Sequence, residues 1–589
     1  MSGSPSALEA LRSAWGARWP EALATWSPYT KLTQPRLCIT EAEEQEERLQ
    51  GSFAMIRVAD HAVVIGLREV ATKGLTAFPL QVLAHEIGHH VFAPGDLADN
   101  ARLIARIRRG LPGQEDHAGL VANLYLDLLV NDRLQREKGL DMAAVYRALR
   151  RPDDDPPRLW RLYQRTYELL WSLPSGDLTP NEPQDDMLEA DAGLAARLVR
   201  AYTQRWLDGA SRYACLLLPY LMEQDDKTGQ RYLVPWLDTR RAGEGDELPD
   251  GLAELDDEEL LGPIHPAEDP ELSGLAAPVG ASTPGSANRE LPGGLKNQYR
   301  EPTEYAELMK SLGVKVSPSQ LAHRYYRELA LPHIIPFPRR EIPKATDPLP
   351  EGLDVWDPGS PLSDVDWVET LSHSPVVIPG VTTLERRMGE SAGAEPERRP
   401  PDLYLGVDCS GSMNNPRQRL SWPVLSGAVI TLSALRAGAK VMVCLSGEPG
   451  SFTETNGFLR QEDTIFGVLT DYLGTGYSYG ILRLKATFLD APPPKNPVHL
   501  LIVTDSDIFH MLGSIKEGWD IFAEALLRAG GGGTLVMDLP FPEHYAAQLE
   551  RVRSLGWGVH LVRSQEELLT FARAFSRLRF GPKGQVKTP

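Results

Sequence analysis

The sequence predicts a multidomain chain. An α+β domain covers 1–145, a helical extension 146–239, an acidic linker 240–300, a helical and extended connecting segment 301–400, and an α/β doubly wound domain 401–580. Three observations carry this division. Short strand-like runs precede a helical pattern near the N-terminus. After residue 401 apolar strand-like runs alternate with helical ones, the order that builds a sheet with helices on its faces. Between them, GEGDELPDGLAELDDEELLGP is acidic and Gly/Pro-rich, and bears too few large apolar residues to fold alone.

Bulk properties exclude several function classes. The 589 residues suffice for about two to four domains. Hydrophobic content of 42% and charged content of 24% are those of a globular chain. A formal net charge of −19 argues against nucleic acid and anionic membranes as partners. The first twenty residues lack a basic stretch followed by an apolar core, so no signal peptide is expected. No apolar run is long enough to span a bilayer. Cys38, Cys215, Cys409 and Cys444 are scattered without pairing or ligand spacing, which suits a reducing compartment and a cytoplasmic location.

Taken in order, Ser6 to Trp26 reads as an amphipathic helix, Arg36 to Thr40 as a short strand, and Ser52 to Val58 with His61 to Leu67 as a hairpin. The stretch PLQVLAHEIGHHVFAP follows, from Pro79 to Pro94. Pro79 suits a first helical turn, and Pro94-Gly95 ends the run. Leu80, Leu83, Ile87 and Val91 recur at helical spacing on the face away from the histidines. His85-Glu86-x-x-His89 places two imidazoles four residues apart on one helical face, where both can reach one zinc ion. Glu86 beside them is the candidate catalytic general base toward a water polarised by that ion.

Leu97 to Arg109 is a basic helix, and His117 to Gly139 a long apolar one. Asn123, Asp127 and Asn131, spaced four apart, draw a polar stripe along the second. A carboxylate among Leu120, Leu124, Leu128 and Leu134 needs a partner, because an unpaired buried charge is costly. Asp127 is therefore the candidate third zinc ligand, with Asn123 and Asn131 as hydrogen-bonding supports. An ion pair of Asp127 with Arg102 or Arg106 is the competing arrangement, and Asp132, Glu115 and His117 are weaker ligand candidates. Strands directly before an H-E-x-x-H helix resemble the zincin arrangement, in which an edge strand can hold an extended peptide over the metal. An α+β core without metal fits the strands equally well. The metzincin pattern is excluded, since Phe92 and Gly95 stand at its glycine and third histidine positions.

Helices continue over 157–171, 187–207 and 213–222, their tryptophans and tyrosines read as packing residues. After the linker come helices in EYAELMKSLG and SPSQLAHRYYRELA, the second with a serine cap, then a proline-rich extended stretch over 332–401. LYLGV, KVMVCLS, HLLIVT, TLVMDL and VHLV follow as strands separated by helices, with a last helix from Gln565. Ligands in such sheets bind at the carboxyl ends of the strands.

The first of these strands runs into Asp408-x-Ser410-x-Ser412, the start of a metal-ion-dependent adhesion site, and the domain resembles a von Willebrand factor type A (VWA) domain. The resemblance extends to Thr475 in GTGYS, at the family's metal-contacting threonine, and to Asp505 in IVTDSD, at its second aspartate. It implies an all-oxygen magnesium site from Asp408, Ser410, Ser412, Thr475 and Asp505, able to take a partner's carboxylate. The family usually has glycine after the second aspartate; Ser506-Asp507 stand here, and Asp507 would add charge and weaken that binding.

Together, H-E-x-x-H, the later N-x-x-x-D-x-x-x-N helix and D-x-S-G-S resemble bacterial predicted metallopeptidases that carry a VWA-like domain, over residues 50–140 and 400–580. This implies a zinc-dependent metallopeptidase whose magnesium site recruits a substrate or partner protein. The alternative is a non-catalytic adaptor working with a MoxR-type AAA+ ATPase, its zincin-like domain structural or inactive.

Overall fold

The computed structural model describes residues 5–49, 52–57, 60–150, 156–178, 185–223, 250–272, 299–342, 347–391, 397–411, 413–476, 478–539 and 541–562, with 567, 570, 571 and 575. The chain is a multidomain α/β protein that divides into two compact units, 1–321 and 322–589. No helix among the described residues is long and apolar enough to cross a membrane.

Unit 1 opens with α1 (Pro5–Ala17) and α2 (Trp19–Trp26), one expected helix broken at Arg18. Pro20 suits the first turn of α2, because it has no N–H to offer a continuing helix. Three strands follow, β1 (Arg36–Cys38), β2 (Ala54–Arg57) and β3 (Ala62–Gly66), in the order β1-β3-β2. β3 runs parallel to β1 and antiparallel to β2, so the expected hairpin is present with β2 at the sheet edge. Between them lies α3 (Glu41–Glu46), closed by a Thr40–Glu43 capping box, and α4 (Leu67–Thr72) follows β3.

The H-E-x-x-H helix is α5 (Pro79–Val91). It packs in a core with Trp15, Trp19, Trp26 and Val130. Leu83 and Ile87 are fully buried as expected, but Val91 is 41% exposed at the helix end, and Val82 and Ala84 are buried instead. Gly88 is required by close approach: a β-carbon there would lie 2.5 Å from Val130 Cγ1 and 2.6 Å from Trp26 Cζ2.

Next come α6 (Leu97–Arg109), α7 (Ala118–Arg136), α8 (Met142–Leu149), α9 (Arg158–Leu170), α10 (Asp186–Ala201) and α11 (Trp206–Met222). Helix α7 is buried nearly all round, including Asn123, Asp127 and Asn131. A helix so enclosed shows little apolar face against polar face, which is why its polar stripe stands out.

The flexible linker expected over 240–300 needs correction where it is described. Residues 250–272 pack on the helices of unit 1 with buried Leu252, Ala253 and Leu272 and a short helix, Asp257–Leu261. Charge carries much of this attachment. Buried Arg300 holds Glu259 at 2.8 and 3.0 Å, and Asp269 takes Arg212 at 2.7 Å and the Tyr202 hydroxyl at 2.6 Å. Residues 240–249 and 273–298 lie outside the described set.

In unit 2 the expected extended stretch holds two antiparallel ladders: β4 (Arg340–Ile342) with β7 (Glu397–Arg399), and β5 (Asp347–Val355) with β6 (Leu384–Ser391). The main sheet comprises β8 (Asp402–Asp408), β9 (Val441–Ser446), β10 (Phe452–Glu454), β11 (Val498–Thr504), β12 (Gly530–Met537) and β13 (Trp557–Leu561). Its order is β10-β9-β8-β11-β12-β13, parallel except for β10. Helices cover both faces, because successive side chains of a strand point oppositely. Tyr404 meets Phe488 on one face, while on the other the helix Trp422–Ala437 brings Gly427 against Leu405. The chain leaves β8 toward β9 and β11 toward β12, on opposite sides, so a crevice opens at the carboxyl ends of β8 and β11. The last helix, expected from Gln565, lies largely outside the described residues.

Candidate metal centre

Helices α5 and α7 bring His85, His89 and Asp127 together, one donor atom from each lying within 4.8 Å of the others. The two Nε2 atoms are 3.2 Å apart, and Asp127 Oδ1 is 3.6 Å from His85 Nε2 and 3.5 Å from His89 Nε2. The competing arginines are engaged elsewhere: Arg102 with Asp99, Arg106 with Asp208 and Asp256. Asp132, a weaker ligand candidate, pairs with Arg136 one turn along α7. Glu115 takes the Gly113 N–H, and neither it nor His117 belongs to the cluster.

Each ring is held from behind by a contact at Nδ1. His85 Nδ1 lies 2.8 Å from Asn131 Oδ1, and His89 Nδ1 lies 3.0 Å from the Ala93 carbonyl oxygen. Both oxygens accept, so Nδ1 is the donor in each contact, and the two Nε2 atoms face each other and Asp127. The other end of Asn131, Nδ2, donates to the Tyr146 and Tyr167 hydroxyls at 3.1 and 2.9 Å. Tyr163 completes the cluster, 2.9 Å from Tyr167 and 3.4 Å from Tyr146. Burial, reinforced by nearby charge including Asp127, pushes all three phenols above their usual range, so they stay neutral donors. Asn123 Nδ2 contacts Asp127 Oδ2 at a long 3.4 Å. Two imidazole nitrogens and a carboxylate oxygen brought this close together could hold a metal ion.

Glu86 is buried and lines a cleft of about 450 Å³, counting space open to solvent, together with His85, Asp127 and Asn131. Ser52, Phe53 and Ala54 at the start of β2 form one wall, and Val82, Met142, Val145 and Tyr146 make the rest mostly apolar. These residues were not legible as site residues. Met142, Val145 and Tyr146 belong to an ordinary amphipathic pattern in α8, and only the helix packing turns them toward the histidines.

At the second predicted site, β8 ends on Asp408 and β11 on Thr504, just before Asp505. The register Val503↔Val407 sets Thr504 beside Asp408, and its hydroxyl donates to Asp408 Oδ2 at 2.8 Å. Asp408 Oδ1 accepts the Ser410 N–H at 2.9 Å. Ser410 bridges Thr475 in parallel fashion, and the Thr475 hydroxyl accepts the Glu448 N–H at 3.2 Å. Burial pushes the Asp408 carboxyl up, opposed by those hydrogen bonds and aided by the charge of Asp505. Burial and then Asp505 likewise raise Asp507 and Asp538. The structure thus gathers Asp408, Ser410, Thr475 and Asp505 at the crevice, while Ser412 lies outside the described residues. Sequence reasoning missed Thr504, which has no role in the D-x-S-x-S pattern, and Asp538, at the end of the neighbouring strand.

No family model and no curated protein matches this chain, so the reading of both sites rests on their residues and geometry.

Proposed function

We propose that the chain is a zinc-dependent hydrolase of peptide bonds, its ion held by His85, His89 and Asp127. One observation carries the reading: His85 Nε2, His89 Nε2 and Asp127 Oδ1 converge within 3.6 Å of one another, while each Nδ1 is already engaged by an oxygen on its far side. Two nitrogens and one oxygen suit zinc, and three protein ligands are the number that catalytic sites use. When bound, the ion supplies Lewis acidity toward water and a carbonyl oxygen. Glu86 lines the same cleft and is the group that takes a proton from the attacking water and passes it to the leaving amine. Edge strand β2 offers extended backbone to an extended peptide, and Val82, Met142 and Val145 offer an apolar wall to one of its side chains.

A second reading is favoured by a different observation, the near-complete burial of His89 and Asp127, which structural metal sites share. The zinc-class ion then braces α5 against α7, and the chain acts as an adaptor. Its partner, such as a MoxR-type AAA+ ATPase, would bind through a carboxylate to Mg²⁺ held by Asp408, Ser410, Thr475 and Asp505, with Ser412. The mixed, mostly parallel sheet with its crevice between β8 and β11 supports the VWA resemblance on which this magnesium site rests.

Cleavage of a quenched fluorescent peptide library by zinc-loaded protein, wild type beside Glu86→Gln, separates the two. The hydrolase reading expects cleavage lost in a variant that still binds zinc. Zinc retained without cleavage in either protein supports the adaptor.

A further inference from the structure

The ladder of β5 and β6 with the helix Trp367–His373 forms a small lobe with an interior of its own. Trp356, Val365, Thr370 and Thr383 are buried in it. The Trp356 N–H donates to the Thr383 carbonyl at 2.8 Å, and the Leu384 N–H donates to the Thr370 hydroxyl at 2.9 Å. Asp366 caps the helix and pairs with Arg386. A segment that is folded in this way has already chosen which side chains to bury.

What it leaves outside is unusual. Of the 20 large hydrophobic side chains exposed among the described residues, 12 lie between 349 and 389. Trp367, Val368 and Leu371 sit on the helix, the last two 73% and 53% exposed, and Val376, Ile378 and Val381 follow in the next loop. Scattered exposed apolar residues need no explanation, but such a concentration in one short lobe marks an interaction surface.

Charge decides what fits it. Residues 349–389 carry seven carboxylates (Glu351, Asp354, Asp357, Asp364, Asp366, Glu369, Glu385) against two arginines. Arg386 is engaged by Asp366, and Arg387 lies 3.9 Å from both Glu351 and Asp354. The lobe as a whole is therefore acidic. A second copy of this chain, at −19, and an anionic lipid surface would both be repelled. We propose that the 349–389 lobe docks a different protein, one presenting an apolar groove rimmed by lysine and arginine, with the helix and the loop after it as the inserted element.

The test uses the full chain as bait for a random peptide library displayed on phage. Recovered peptides are synthesised with a fluorophore and measured by anisotropy. The proposal expects peptides that join aromatic or aliphatic residues to lysine or arginine. Their affinity should fall at least tenfold with the double variant Val368→Asp/Ile378→Asp and weaken with added salt. It should stay unchanged with Leu527→Asp, an exposed apolar position elsewhere. Exposed positions tolerate these changes, and a thermal melt confirms the fold. Acidic peptides, or a library that yields no binder sensitive to the lobe variant, overturn the proposal. So does self-association in sedimentation that the double variant abolishes, which assigns the surface to a second copy. Flotation with phosphatidylcholine vesicles that the variant abolishes would assign it to a membrane and overturn it equally.

Discussion

Replacing Asn131 by leucine probes the tautomer argument directly. The side chain joins His85 Nδ1 at 2.8 Å to the Tyr146 and Tyr167 hydroxyls at 3.1 and 2.9 Å, all in a buried setting. Leucine keeps the approximate volume but can neither accept nor donate. His85 then loses the acceptor that holds its proton on Nδ1, and the ring is free to present N–H instead of a lone pair to the metal. Removal of such an outer partner costs about 10–100-fold in metal affinity, or about 1.4–2.8 kcal/mol. The fold pays separately, since each buried polar group left unpaired costs about 1–3 kcal/mol. A zinc titration against a competing chelator, with a urea melt of the metal-free protein alongside, measures both. Asn123→Leu supplies the internal comparison, because its contact with Asp127 Oδ2 is only 3.4 Å and its loss should matter less. Zinc affinity within twofold of wild type in folded Asn131→Leu, or a larger loss in Asn123→Leu, refutes the reasoning.

Other outcomes follow from packing and charge. Gly88→Ala places a methyl group against Val130 and Trp26, and overpacking of about 1–3 kcal/mol should outweigh a helix-propensity gain of about 1 kcal/mol, lowering the midpoint of a urea melt. Arg300→Met strands Glu259 in the interior, so a loss of about 3–5 kcal/mol and faster proteolysis within 250–272 are expected, read by melt and limited digestion. Burial holds the Cys38 thiol up to about 11 and the Cys444 thiol up to about 12, with Cys409 raised for the same reason. Near neutral pH these three should react with a thiol reagent only on unfolding, and rapid native labelling of any of them, located by peptide mapping, contradicts the packing.

Local chemistry was the legible part of this chain. The bounds of α5 could be read from Pro79 and Pro94 because proline acts on the backbone wherever it stands. Asp127 could be read because four-residue spacing within one apolar helix is a property of that helix alone. The tyrosines were not legible as a polar cluster: residues 146, 163 and 167 reach Asn131 only through the packing of α8 and α9 on α7. The 250–272 stretch was read as a spacer because its composition lacks large apolar residues. Its attachment instead uses Arg212–Asp269 and Arg300–Glu259, ion pairs between residues 57 and 41 positions apart that composition cannot register. The 349–389 lobe escaped for the opposite reason. Proline-rich flanks suggested extended chain, whereas its ladder depends on pairing strands with a helix and a loop between them.

Metal content is the measurement closest to the central claim. Protein purified without added metal, analysed by inductively coupled plasma mass spectrometry, should hold about one zinc per chain. The zinc should persist in Glu86→Gln, fall sharply in Asp127→Ala, and vanish in His85→Ala and His89→Ala. Full zinc occupancy in a folded His85→Ala/His89→Ala double variant, or no divalent metal in wild-type protein even after zinc is supplied, would contradict the account.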